Sequence, residues 1–160
     1  MVTVRPHLWF GNDLAHEAAA FYADHLPDSS VRRVITAAEG IPGATAGAPF
    51  IVEFTVCGVE VVGLNAGPAL RLDEAFSFYL RCDGQEEVDH YWDLLTADGG
   101  KPGPCGWCTD RFGVSWQVIP RQLEELCGDY TTPANQRAMQ AMLQMGKIDV
   151  ATLEAAHRGA

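Results

Sequence analysis

His7-Leu8-Trp9-Phe10 and Ser77-Phe78-Tyr79-Leu80 decide the fold, because each opens the same run of elements. His7 lies fourteen positions before Phe21, and Ser77 fourteen positions before Tyr91, so the two tetrapeptides overlay in one register. Around the first, Val2, Val4, Leu8 and Phe10 alternate with Thr3, Arg5, His7 and Trp9, the period of a strand over 2–10. Around the second, Phe76, Phe78 and Leu80 alternate with Ser77, Tyr79 and Arg81, a strand over 75–82.

A helix follows each strand. Asn12 or Asp13 suits the cap of the first. Leu14, Ala18, Phe21, Tyr22 and His25 recur at helical spacing, and Pro27 stops the helix. The second spans about 85–98, with Val88, Tyr91, Trp92 and Leu95 on one face and Gly99 and Gly100 at its end. Strands are expected over 31–37, 50–57 and 59–64 in the first half, with a tight turn at Gly58. In the second half a glycine-rich stretch leads to Gly113 and a closing strand over 114–119. Cys57-Gly58-Val59-Glu60-Val61 overlays Phe112-Gly113-Val114-Ser115-Trp116. Two such copies predict an α+β fold of two half-sheets, each with one face on its helix and the other toward its twin. The modules are expected over 1–68 and 69–120, within one structural domain. A helical extension over 121–160 has caps at Thr132 and Asp149, an apolar stripe at Met139, Met142 and Leu143, and a stop at Gly146. It is expected to pack on the sheet or on a second subunit.

Composition narrows the function. The chain has 160 residues, and 21 acidic against 11 basic residues give a net charge of −10. Such a chain repels nucleic-acid phosphates and anionic membranes, so neither is an expected partner. No apolar run approaches the roughly 18 residues that span a bilayer. No secretory signal is evident, and five cysteines without one suggest a reducing, cytoplasmic setting.

Several motifs stand out together: 7–10, Glu17-Ala18-Ala19-Ala20-Phe21-Tyr22, Gly63-Leu64-Asn65-Ala66-Gly67-Pro68 and Gln85-Glu86-Glu87-Val88-Asp89. Cys105-Gly106-Trp107 followed by Asp110-Arg111-Phe112-Gly113-Val114-Ser115-Trp116-Gln117 is the most specific block, and 141–149 also fits. On these the chain resembles the vicinal oxygen chelate superfamily, the glyoxalase and bleomycin-resistance fold of paired βαβββ modules. Within it, the chain is similar to the PhnB-like group described as 3-demethylubiquinone-9 3-methyltransferase. The resemblance implies a homodimer. It also implies one metal ligand on each of four cavity strands, which map to His7, Val62, Ser77 and Gln117. (A bulge would bring Asn65 in place of Val62.) One clear ligand of four is a poor set for a divalent ion, so no metal and no cofactor are expected.

The expected function is metal-free binding of a small organic molecule. The candidate lining is His7, Trp9, Glu53, Val62, Leu64, Asn65, Ser77, Tyr79, Trp107, Ser115 and Gln117, an apolar set with a few polar anchors. Three alternatives stand beside it. A metal-assisted enzyme of lyase, isomerase or dioxygenase type is one. Acid–base catalysis by His7 with Glu53 is another, since a carboxylate beside an imidazole shifts both pKa values. The third is thiol-redox chemistry at Cys105 and Cys108, although no activating helix follows this CxxC. Methyl transfer is disfavoured, because Gly11-Asn12-Asp13-Leu14 lacks the glycine-rich loop that lets such an enzyme approach its cofactor.

Overall fold

The computed structural model describes residues 2–160, in two compact units that meet in the chain at Leu72 and Asp73. The first holds β1 (His7–Trp9), α1 (Ala15–His25), β2 (Ser30–Thr36), β3 (Pro49–Val56) and β4 (Val59–Leu64). Its sheet has the order β1-β4-β3-β2, with β1 parallel to β4 and the other pairs antiparallel. Alternation sends Val52, Phe54 and Val56 inward beneath α1, which buries Ala15, Ala18, Ala19 and Tyr22. The Tyr22 and Phe54 rings meet at 6.2 Å. Gly63 permits this close approach, because a Cβ there would come within 2.9 Å of the Ala15 Cβ.

The sequence pattern places β1 over 2–10, but only His7–Trp9 pairs. The register His7↔Val62 explains the difference. Continued backwards it would set Val4 against Val59 and Val2 against the turn at Cys57 and Gly58, where the partner strand has run out. Val2 and Val4 are accordingly exposed. The cap of α1 is also a correction. Neither Asn12 nor Asp13 caps the helix. Asn65 does so from the end of β4, accepting a hydrogen bond from the Ala15 N–H at 3.0 Å and donating to Pro49 O at 3.0 Å.

The second unit holds β5 (Phe78–Cys82), α2 (Gln85–Thr96), β6 (Lys101–Pro102), β7 (Trp107–Thr109) and β8 (Ser115–Pro120). It continues through α3 (Arg121–Cys127), α4 (Pro133–Met142) and α5 (Val150–Arg158). The sheet order is β5-β8-β7-β6, the same topology as the first unit. The glycine-rich stretch after α2 is thus two short strands rather than a loop. Phe78 and Trp116 lie on the α2 face of this sheet, with ring centroids 5.0 Å apart. Thr132 and Asp149 cap α4 and α5 as their positions predict, accepting from Asn135 N and Thr152 N, while α4 ends at Met142, short of Gly146. The three tail helices pack with this unit. Ile119, Leu123, Cys127, Ala138, Ile148 and Leu153 form one buried cluster.

Asp110 holds the β7–β8 turn. Its buried carboxylate accepts from the N–H groups of Phe112 at 2.9 Å and Val114 at 3.0 Å, and from the Trp116 indole at 2.9 Å. Removing a charged acceptor leaves these buried donors without it. Asp110→Ala should therefore destabilise the protein by about 3 kcal/mol, read by denaturant unfolding. A change below about 1 kcal/mol would show that the turn holds without it.

Candidate functional site

The register of the second sheet sets three of the candidate residues abreast. Tyr79 on β5 pairs with Gln117 on β8, and Gln117 pairs with Trp107 on β7. Side chains alternate along a strand, so this row lies on the face away from Phe78, Trp116 and Cys108. Gln117 donates from Nε2 to Ser77 Oγ at 2.9 Å, which leaves its carbonyl oxygen as an acceptor. Ile119 has the same parity as Gln117 and carries the tail helices. The result is a cavity of about 370 Å³. Tyr79, Trp107, Gln117 and Ile119 line it from the sheet and Cys105 from the loop before β7, while Leu123, Glu124, Cys127, Tyr130 and Met142 line it from the tail.

The charges at this cavity are matched. Tyr79 donates its hydroxyl to Glu124 Oε1 at 2.8 Å, and Arg81 donates from Nε to Glu124 Oε2 at 2.7 Å. Burial first, and then the Glu124 carboxylate, push the Tyr79 phenol well above its ordinary range. The Arg81 and Tyr79 hydrogen bonds hold the Glu124 carboxyl below its own. At neutral pH the cluster is therefore a neutral phenol beside a paired carboxylate, with no free charge offered to a ligand.

On the first sheet, one row runs His7, Val62, Glu53, Arg33 across four strands, and the next runs Trp9, Leu64, Ile51, Ile35. These rows lie on the face away from α1. Trp9 donates its indole N–H to Gly67 O at 2.8 Å. His7 and Glu53 share a face, but Val62 stands between them, two strand spacings or roughly 9–10 Å at Cα. Glu53 instead meets Arg5, at 3.5 Å. Asn65 is buried and committed to the α1 cap, and β4 runs without a bulge, so Asn65 does not replace Val62. Ser115 is also buried, donating to Asp73 O at 3.2 Å. Both serve the scaffold.

The four positions that carry a divalent ion in this fold family do not fit one here. Val62 has no donor atom, and Ser77 and Gln117 spend a hydrogen bond on each other. Of these four residues only His7 carries a strong donor for Zn²⁺ or its neighbours. Among the described residues no group of three or more His, Cys, Asp or Glu is placed to hold a metal. A methyl-donor cofactor fits no better at the β1–α1 joint. A Cβ on Gly11 would run into Leu70 O, and Asn65 occupies the helix start.

The CxxC splits across two environments. Cys105 sits in a turn at positive φ, and Cys108 is buried in β7. Burial, with a smaller contribution from Asp110, pushes the Cys108 thiol up to about 12. A strand follows it, so no helix terminus stabilises a thiolate.

The topology, two βαβββ units each built on a parallel first–last strand pair, is that of the vicinal oxygen chelate superfamily. Within it the chain belongs to the family described as 3-demethylubiquinone-9 3-methyltransferase, whose model matches residues 2–119. A comparison with curated proteins gives no match. Among solved structures the chain is similar to the PhnB protein from Bacillus cereus, at 25% identity and a TM-score of 0.63 over 74% of this chain and 99% of that one. It is also similar to protein PA1353 from Pseudomonas aeruginosa, at 22% identity and a TM-score of 0.58 over 75% and 98%. The family match stops one residue before Pro120. The stretch 141–149, quoted above for the resemblance, lies outside it, as do all the tail residues that line the cavity.

Sequence reasoning missed Leu123, Glu124, Cys127, Tyr130 and Met142. The available signal was Ile119, an apolar residue with the parity of Gln117, which needs a cover. For the thiols, iodoacetamide at neutral pH should modify the exposed Cys57 before the buried Cys82 and Cys108, followed by mass spectrometry. Labelling of Cys108 ahead of Cys57 would contradict an inert CxxC.

Proposed function

We propose that this protein binds a small, uncharged, largely apolar or aromatic organic molecule in the cavity over Tyr79, Gln117 and Trp107. On this reading no metal sits at the His7, Val62, Ser77 and Gln117 positions. The single observation that carries it is that row, abreast on three strands and walled by α3 and α4. The volume is at the lower end for small-molecule sites, which suits a fragment-sized ligand. Trp107, Ile119, Leu123 and Met142 supply apolar contact, and the carbonyl oxygen of Gln117 supplies an acceptor for one ligand donor. The closed Tyr79–Glu124–Arg81 network disfavours a charged ligand. The family's description names methyl transfer. The packed β1–α1 joint argues for ligand binding over that chemistry. All five cysteines are free, which supports a reducing compartment.

The test is a thermal-shift screen of neutral aromatic fragments, followed by calorimetric titration of variants. Trp107→Ala should weaken binding by about 1–3 kcal/mol through lost ring contact. Gln117→Leu should cost about 1–2 kcal/mol through the lost hydrogen bond. Hits that bind both variants as tightly as the wild type would place the ligand elsewhere and overturn this reading.

A further inference from the structure

We propose that the cavity selects a neutral arene bearing an NH₂ group, because Tyr79 and Gln117 both meet the ligand as hydrogen-bond acceptors and Glu124 is the positioning residue that makes Tyr79 one. This inference rests on the ligand-binding reading above and narrows its ligand to a primary arylamine. Tyr79 donates its only hydroxyl proton to Glu124 Oε1 at 2.8 Å. Gln117 commits its donor atom Nε2 to Ser77 Oγ at 2.9 Å. What they offer a ligand is the lone pairs of the phenol oxygen and the carboxamide Oε1. The two residues are register partners on β5 and β8 and line one cavity of about 370 Å³, so a fragment that fills it meets both.

The Tyr79 proton is held in that direction by the rest of the network. The second oxygen of Glu124 accepts from Arg81 Nε at 2.7 Å. Arg81 stands two residues along β5 from Tyr79, on the same face, so one carboxylate bridges two side chains of one strand. The phenol is pushed above its ordinary range and the carboxyl is held below its own, so at neutral pH the proton stays on Tyr79. A phenol that donates to a carboxylate is polarised and becomes a stronger acceptor for a third group. Two neighbouring acceptors call for a ligand with two donors. An arylamine carries both N–H bonds on one nitrogen, and it is uncharged at neutral pH because the ring withdraws the nitrogen lone pair. An alkylamine would enter as a cation, and the Glu124–Arg81 pair leaves it no free counter-charge. A nitrile or ketone would set its own lone pairs against those of Tyr79 and Gln117, which rejects it.

The experiment is calorimetric titration of the full chain with two fragments of similar size, 4-ethylaniline as the donor and 4-ethylbenzonitrile as the acceptor. The wild type should bind the aniline about tenfold more tightly, the scale of a hydrogen bond made against one left unmet. Glu124→Gln tests the cause. Arg81 has only donors, so the new amide turns its carbonyl to Arg81 and its NH₂ to Tyr79, whose own proton then turns to the cavity. The preference should fall to about one or reverse toward the nitrile. Tyr79→Phe, which lacks the oxygen, should cut the preference about threefold or more. A packing defect alone would weaken both fragments together and leave their ratio where it was. A wild-type ratio near one or favouring the nitrile, or a tenfold ratio that survives either substitution, would overturn the inference. Trp107→Ala separates it from the reading it rests on. If that variant weakens both fragments and the wild type shows no preference for the amine, the cavity binds a ligand but not this class. If neither fragment binds the wild type, both readings fall.

Discussion

The packing of the tail onto Ile119 is the interaction on which the second unit's chemistry depends. The strand β8 is central in its sheet and apolar on both faces, with Trp116 and Val118 on one side and Ile119 on the other. The helix α2 covers only the first. The sheet's other face must be buried by something else, and Leu123, Ile148 and Leu153 do it. Burying side chains of this size stabilises by about 1.5–3 kcal/mol each, enough to hold the tail in place. Within β8 only Gln117 escapes full burial. The cavity is the space left where the tail's cover does not reach the Tyr79–Gln117–Trp107 row.

Much of the architecture was legible in the sequence because it follows from periodicity. The alternation of Val52, Phe54 and Val56, the helical spacing of Ala18 and Tyr22, and the caps Thr132 and Asp149 are local signals, and the structure keeps them. What the sequence hid is non-local. Asn65 resembled a candidate ligand, yet its amide caps a helix fifty residues earlier in the chain. Trp107 lay in a stretch that reads as loop because Gly103, Pro104 and Gly106 come just before a three-residue strand. The row containing Tyr79, Gln117 and Trp107 exists only through strand register, which no single segment specifies.

The motifs that most strongly mark the family prove to be joints of the scaffold. Asp110 ties the β7–β8 turn to Trp116, and Gly63 and Asn65 seat α1 on its sheet. Val62 offers no side-chain donor, and Ser77 and Gln117 hydrogen-bond to each other. The tail beyond the family match supplies about half of the cavity's lining. Family membership thus fixes the frame, and the tail helices build a cavity on one face of it.

The central claim is that β8 and the tail build one ligand cavity. The most direct measurement is nuclear magnetic resonance of the protein carrying a labelled methionine methyl and labelled glutamine side-chain amides, titrated with a neutral aromatic fragment. The account predicts that the Met142 methyl and the Gln117 carboxamide shift together and follow one dissociation constant. Shifts confined to the groove between α4 and α5, at Gln136 and Gln140, with Met142 and Gln117 unmoved, would contradict it.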